Sequence, residues 1–432
     1  MTSSPATIDA SLAASLRGLG RDGRLLFATR VLRMFAYGFL AVVLVLYLAA
    51  LGIDALTIGA ILTLTLIGDT IVSLWLTTRA DRIGRRLVLV VGSLLMAGAG
   101  FLFAVTASVP LLILVATIGV ISPTGNEVGP FLAVEQAALS QATPDARRTP
   151  TFAWYNLAGY VATAVGALSA GLLTQGLLAM GVAALDAYRV VVVGYGVVGL
   201  VMAVVFWRVG KGVEAPQPPP ADDGIARRLG LGPRSRGIVA RLSLLFSLDA
   251  FAGGFVPQSL MAYWFHLRYG VEPAILGGIF FGANLLAAVS SLSASRFAAR
   301  FGLVNTMVFT HLPSNVFLFL VPLMPNLPLA IAVLLLRFSL SQMDVPTRQS
   351  YVMAVVEPGE RSAAAGVTGI ARTTGASISP ILSAPLVASA SLASIPFFLA
   401  GGLKVAYDLL LYRAFRSGRA PDERADRQSR DR

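Results

Sequence analysis

The chain has 432 residues, of which 56% are hydrophobic and only 13% charged. A water-soluble domain carries about a quarter charged residues, so this sequence lacks the polar surface to face water on every side. It contains no cysteine, which excludes disulfides, thiol catalysis and thiolate metal sites, and its two histidines, His266 and His311, lie too far apart in sequence to read as a metal cage. The formal charge of +12 would point to nucleic acid only if the basic residues formed a patch.

Twelve apolar segments follow one another, each near the ~20 residues that a membrane-spanning helix needs. They are predicted at 25–50, 56–78, 87–106, 110–139, 150–175, 187–208, 242–266, 273–296, 303–322, 328–356, 362–388 and 393–414. The polar first 24 residues hold no apolar run of the kind found in a cleaved signal peptide, so the first helix is expected to direct insertion. In the fourth segment Pro123, Gly125, Gly129 and Pro130 disturb a regular helix. The longest interruption, 210–238, is rich in Pro, Gly and mixed charge and separates six segments from six. The expected organisation is a tail over 1–24, a bundle over 25–209, the linker, a second bundle over 239–414 and a tail over 415–432.

The basic residues report orientation. With the N-terminus on the cytoplasmic side, cytoplasmic segments hold about 26 of the 34 Lys and Arg residues, and the opposite side holds Arg189 and Arg268. The charge is thus a topology signal, and no nucleic-acid partner is expected. Both termini are predicted to be cytoplasmic in a cell (inner) membrane, with lipid as the surrounding partner.

The halves repeat each other. FAYGF (35–39) matches FAGGF (251–255), Tyr47 matches Tyr263, GIDALTIGAI (52–61) matches GVEPAILGGI (270–279), RADRIG (79–84) falls on FAARFG (297–302), and TPDARR (143–148) falls on EPGERS (357–362). The offset stays at about 214–218 residues throughout, the mark of two parallel six-helix units.

The charged stretch RADRIGRR between the second and third segments resembles the loop motif of the major facilitator superfamily, Gly-x-x-x-Asp-Arg-x-Gly-Arg-Arg. The matching residues are Asp81, Arg82, Gly84, Arg85 and Arg86, with Thr77 in place of the leading glycine. The resemblance implies an all-α membrane protein of about twelve helices in two pseudo-symmetric bundles. It also implies transport of a small molecule by alternating access, with this loop as part of the cytoplasmic gate. There Asp81 is expected to meet the N-terminus of helix eleven near Ser362, and the arginines to pair with acids that lock the inner face. The Arg-x-x-Gln-Gly stretch of the family's drug-antiporter branch is missing from the fourth segment, which reads VISPTGNEVGPFLAVEQ.

An ionisable side chain inside a span costs about 2.5–3.5 kcal/mol on insertion scales, so it usually lines a cavity with work to do. Arg33, Asp69, Glu127, Asp249, Arg337, Asp344 and Arg372 qualify as candidates for substrate or proton coupling. Arg33 and Asp249 occupy equivalent repeat positions, as nearly do Glu127 and Asp344. Asp344 and Arg348, four apart, are placed to pair. Glu135 is expected at the cytoplasmic edge as a partner of loop arginines, His311 as a hydrogen-bonded structural residue, and Trp154, Tyr155 and Asn156 as interfacial or cavity-facing. There is no phosphate-binding G-x-x-x-x-G-K-[ST] loop and no pattern of catalytic side chains. The expectation is a carrier, not an enzyme, without cofactor or metal and acting as a monomer. It would exchange protons or another coupling ion for a small organic or anionic solute, by efflux or alternatively by uptake of a nutrient.

Overall fold

The computed structural model describes residues 19–143, 145–214, 232–357 and 360–415. Residues 1–18 of the tail expected over 1–24, residues 416–432 of the tail expected over 415–432, and most of the linker fall outside the described residues. Among the described residues the chain forms fifteen α-helices. The first half comprises α1 (Arg21–Ala50), α2 (Ala55–Ile83), α3 (Arg85–Val105), α4 (Val109–Ile118), α5 (Phe131–Ala142), α6 (Asp145–Ala179) and α7 (Ala184–Trp207). The second half comprises α8 (Pro233–Gly254), α9 (Gln258–Tyr269), α10 (Pro273–Phe301), α11 (Leu303–Leu320), α12 (Leu327–Ser341), α13 (Asp344–Val355), α14 (Arg361–Ala388) and α15 (Ile395–Phe415).

Ten segments of the described residues are long and apolar enough to cross a membrane, with α8–α9 and α12–α13 each counting as one. The two remaining crossings are α4–α5, whose pieces are short, and α14, whose run of Gly, Ser and Thr lowers its hydropathy. Spans four, seven and ten are therefore broken helices. The break in span four follows from Pro and Gly, as the sequence indicates. The other two correct the expectation of continuous helices: Pro257 opens α9 with extended backbone, and the chain leaves the helix again at Gln342.

The internal repeat is visible in the backbone. α2 and α10 both have 29 residues. The paired glycines Gly52 and Gly270, and Gly84 and Gly302, all take positive φ, each pair closing the same corner of its half.

Within each half, backbones approach through glycine. Gly38 and Gly166 bring α1 against α6, and Gly254 and Gly375 bring α8 against α14, so closely that a Cβ there would meet the backbone of the neighbouring helix. Lipid tails are as apolar as the helices, so such close van der Waals contact is what holds membrane helices together. The halves join along two seams, α2 with α14 and α6 with α10. The seams are tight towards the face that carries the 51–54 and 270–272 turns. Gly59 sits on Pro380 and Ile381, Gly171 sits on Gly277, and Thr63 Oγ1 accepts the Ile381 N–H at 3.1 Å.

Candidate functional site

Two clusters of buried charge lie inside the bundle, one per half. In the first, α1 presents Arg30 and Arg33 one turn apart, the break in span four presents Glu127, and α5 presents Glu135. Arg33 is fully buried. Its Nη1 and Nη2 donate to Glu135 Oε1 and Oε2, both at 2.7 Å, and its Nε donates to Glu127 Oε1 at 2.7 Å. Arg30 pairs with the other oxygen of Glu127. Thr29 Oγ1 donates to Glu135 at 3.0 Å, and the Tyr155 hydroxyl donates to it as well. The guanidinium of Arg33 lies over the Phe131 ring and that of Arg30 over the Tyr155 ring. Two arginines and two glutamates cancel, which makes so much buried charge tolerable.

The break that delivers Glu127 has its own supports. Gly125 and Gly129 take φ values of +70° and +81°, a conformation that costs other L-residues about 1–2 kcal/mol. Backbone groups freed inside a membrane must find partners. Asp69 Oδ1 accepts the Gly129 N–H at 2.6 Å, the Tyr37 hydroxyl donates to Val128 O at 2.9 Å, and the Tyr195 hydroxyl donates to Val120 O. The break also reaches across to the other half: the Ser259 N–H donates to Pro123 O at 3.1 Å, and Gly125 abuts Gln258.

The second cluster joins four helices. Asp249 of α8 accepts Lys404 Nζ of α15 at 2.5 Å on Oδ1 and Arg348 Nη1 of α13 at 3.4 Å on Oδ2. Arg348 also pairs with Asp344 one turn earlier, at 2.8 Å. His311 of α11 sits between two carboxylates. Its Nδ1 lies 2.9 Å from Asp408 Oδ1, and its Nε2 lies 3.8 Å from Asp249 Oδ1. Asn315 Nδ2 donates to the second oxygen of Asp408 at 2.9 Å. All the charged members are buried. Tyr160 of α6 stands between the clusters, beside Ser291 of α10 and within the electrostatic reach of both Arg30 and Asp344.

Arg337 stands apart. It shares one face of α12 with Ala330, Leu334 and Ser341, which are buried, yet it is itself half-buried. Its charge interacts with Asp249 and Asp344, but both carboxylates already have closer cations. Its Nε has no hydrogen-bond partner, and the guanidinium lies against the neighbouring Phe338 ring.

Of the residues singled out in the sequence, Arg33 and Glu127 thus meet in one cluster, Asp249 and Asp344 in the other, and Arg337 lies beside the second. Asp69 supports the break instead of joining either cluster. Arg372 is half-buried on α14 and pairs with no carboxylate among the described residues. Glu135 corrects its expectation: it is fully buried against Arg33, because the non-helical stretch 119–130 changes the depth that uninterrupted helix would give. Arg30, Lys404, Asp408 and Asn315 went unread. The signal for Lys404 and Asp408 was present, as opposite charges four apart in an apolar helix.

At the loop, Gly84 separates α2 from α3, and the Glu214 carboxylate accepts the backbone N–H of Arg85 at 2.6 Å and of Arg86 at 3.3 Å, capping α3. Arg85 Nη1 donates to Gln141 at 2.9 Å, and Arg86 lies over Trp207. These contacts run within the first half, where the sequence reading expected the arginines to lock the inner face. Arg82 is exposed. The side chains of Asp81 and Ser362, and with them the expected contact to helix eleven, lie outside the described residues.

Two pseudo-symmetric helical halves, each with broken spans and its own cluster of buried charge, define a membrane carrier architecture. A family model described as Major Facilitator Superfamily matches residues 26–380, and the chain belongs to that superfamily of transporters. It is 30% identical over 418 residues to an uncharacterized membrane protein of Saccharomyces cerevisiae, covering 90% of this chain and 93% of that one. Among solved structures it is similar to a POT family peptide transporter (TM-score 0.69, 14% identity, 93% of this chain and 98% of that one). It is also similar to a bacterial homolog of the human lysosomal transporter Spinster in an inward-facing, unoccupied conformation (0.68, 15%, 95% and 99%) and to the nucleoside transporter NupG (0.66, 14%, 92% and 99%). At these identities the structural likeness concerns the fold.

Proposed function

We propose that the chain is a secondary active transporter that moves a small organic anion, or a polar solute bearing an anionic group, by alternating access and in exchange for protons. The observation that carries this reading is Arg337. Every buried cation of the two clusters has a carboxylate partner, whereas Arg337 beside them is half-buried, its Nε without a hydrogen-bond partner. A guanidinium in a weakly solvated site is suited to bidentate recognition of a carboxylate or phosphate. Glu127, Asp249 and Asp344 are the carboxylates proposed for proton coupling. Arg33 holds two carboxylates in place, and Asp69 positions the break. Export is the proposed direction, with both termini on the cytoplasmic side of a cell membrane, as the arginine distribution supports.

The test is growth of an efflux-deficient bacterium expressing the chain against toxic solutes supplied as carboxylates and as the matching amides. Arg337→Gln, Glu127→Gln and Asp344→Asn are run in parallel at matched membrane abundance. Protection against carboxylates that Arg337→Gln loses, and that a protonophore abolishes, is the expected result. Equal protection against the amides refutes the anion reading. No protection against any compound refutes export, and accumulation of labelled carboxylates then tests uptake.

A further inference from the structure

The second cluster contains an arrangement that transport of a solute does not by itself require. Asp249 Oδ1 already carries Lys404 at 2.5 Å, and His311 Nε2 faces that same oxygen at 3.8 Å, too far for a hydrogen bond. The far side of the ring is fixed. Nδ1 lies 2.9 Å from Asp408 Oδ1, Asn315 steadies the other oxygen of Asp408, and the ring meets the edge of Tyr407. A neutral imidazole with its N–H towards Asp408 turns a bare lone pair on Nε2 towards an oxygen, and nothing draws the two together. A proton on Nε2 makes that nitrogen a charged donor aimed at the oxygen that Lys404 holds.

Three helices bring charge to the ring, and a fourth stands beside it. Asp249 is supplied by α8, Asp344 and Arg348 by α13, and Lys404 and Asp408 by α15, with the half-buried Arg337 of α12 beside the cluster. Among the fully buried members, three carboxylates face two fixed cations. One proton on His311 balances that set, as burial of ionised groups demands.

We propose that His311 is the proton-binding switch of the second half. Its protonated ring competes with Lys404 for Asp249 Oδ1 and loosens the tie between α8 and α15. This inference rests on the reading of the chain as a proton-coupled carrier. The movable element is α8, which ends at Gly254, five residues beyond Asp249, where span seven breaks before α9. Gly253 lies against Lys404, so the Lys404 side chain packs on the last turn before the break. Protonation therefore acts where the helix is already divided. Asp344, on the Tyr160 side of the cluster, is the next titratable group, joined to Asp249 through Arg348.

The sequence makes the test clean. His266 is the one other histidine, and the chain has no cysteine. His266→Gln leaves His311 as the one imidazole for 15N NMR of the full chain in lipid nanodiscs. Thr78→Cys on α2 and Ala365→Cys on α14, both exposed, take spin labels that report the distance between the halves. The expected result is one single-proton transition of the ring between about pH 5 and 9, a shift in the spin–spin distance distribution with the same midpoint, and loss of that shift in His311→Gln. A ring held in one protonation state across this range overturns the proposal. So does a distance shift unrelated to the ring's midpoint, or one that survives His311→Gln. Should His311→Gln fail to reach the membrane, Asp408→Asn keeps the shape and must displace or remove both transitions together; unaltered transitions refute the switch. No solute enters these measurements, so failure of the transport reading shows separately, as absence of protection in the growth assay.

Discussion

Replacing Glu135 with alanine removes the deepest of the paired charges. Arg33, fully buried, loses two hydrogen bonds of 2.7 Å and keeps one, to Glu127. That remaining glutamate must then serve both Arg30 and Arg33, leaving one uncompensated positive charge in the first half. Removing one partner of a buried ion pair costs about 3–5 kcal/mol, and the buried Tyr155 hydroxyl also loses its acceptor, worth about 1–3 kcal/mol by itself. The terms overlap, so about 4–5 kcal/mol is expected, against a total stability of order 5–15 kcal/mol for a folded protein. The assay is equilibrium unfolding in mixed micelles, followed by tryptophan fluorescence. The decisive companion is the double variant Arg33→Met with Glu135→Leu, which leaves Arg30 and Glu127 as a balanced pair. It should be more stable than Glu135→Ala alone by about 2 kcal/mol or more, since removing both ions avoids the stranded charge. A Glu135→Ala cost under about 1 kcal/mol, or a double variant less stable than the single one, would refute the reasoning.

Gly159→Ala places a Cβ 2.8 Å from Arg30 Nε; displacement of the guanidinium from Glu127 should cost about 1–3 kcal/mol in the same unfolding assay. Gly129→Ala combines a φ of +81° with a Cβ 2.9 Å from Val120. It should cost at least the ~1–2 kcal/mol of a left-handed residue and speed hydrogen exchange across 119–130. At the membrane faces, hydrogen bonds from the Thr57 side chain and N–H hold the Asp54 carboxyl below its ordinary value, and bonds from Ser235 and the Gly232 N–H do the same for Glu360. Their stabilisation is complete above the ordinary carboxylate range and is lost as pH falls through the depressed folded values. Thermal unfolding between pH 7 and 3 should therefore show a decline that is shallower in Asp54→Asn and Glu360→Gln.

Hydropathy carried most of the architecture, because a bilayer asks little of a span beyond length and apolarity. The paired glycines at 52 and 270 and at 84 and 302 show why the repeat was readable: they mark corners that need positive φ in both halves. The breaks in spans seven and ten were not legible. Phe255–Pro257 and Gln342–Met343 lie within runs apolar enough to pass for continuous helix, and a break in a membrane depends on partners from other helices, such as Pro123 O for the Ser259 N–H. Asp344 with Arg348 was legible because the pair is four residues apart. Arg33 with Glu135 was not, being separated by 102 positions and joined only by folding. Lys404 shows a third case: its spacing to Asp408 hinted at a helix pair, but it bonds to Asp249 on another helix.

The seams between the halves have a mechanical consequence. Where Gly171 rests on Gly277, and Gly59 on Pro380 and Ile381, the halves touch backbone to backbone. Contacts of this kind resemble a plain bearing: at these points a small rotation would slide backbone over backbone, with little side-chain bulk in the way. A single added methyl at position 171, whose Cβ would stand 2.9 Å from the Gly277 Cα, would act there as a shim. It would bias the tilt of one half against the other while leaving every charge in the interior where it is.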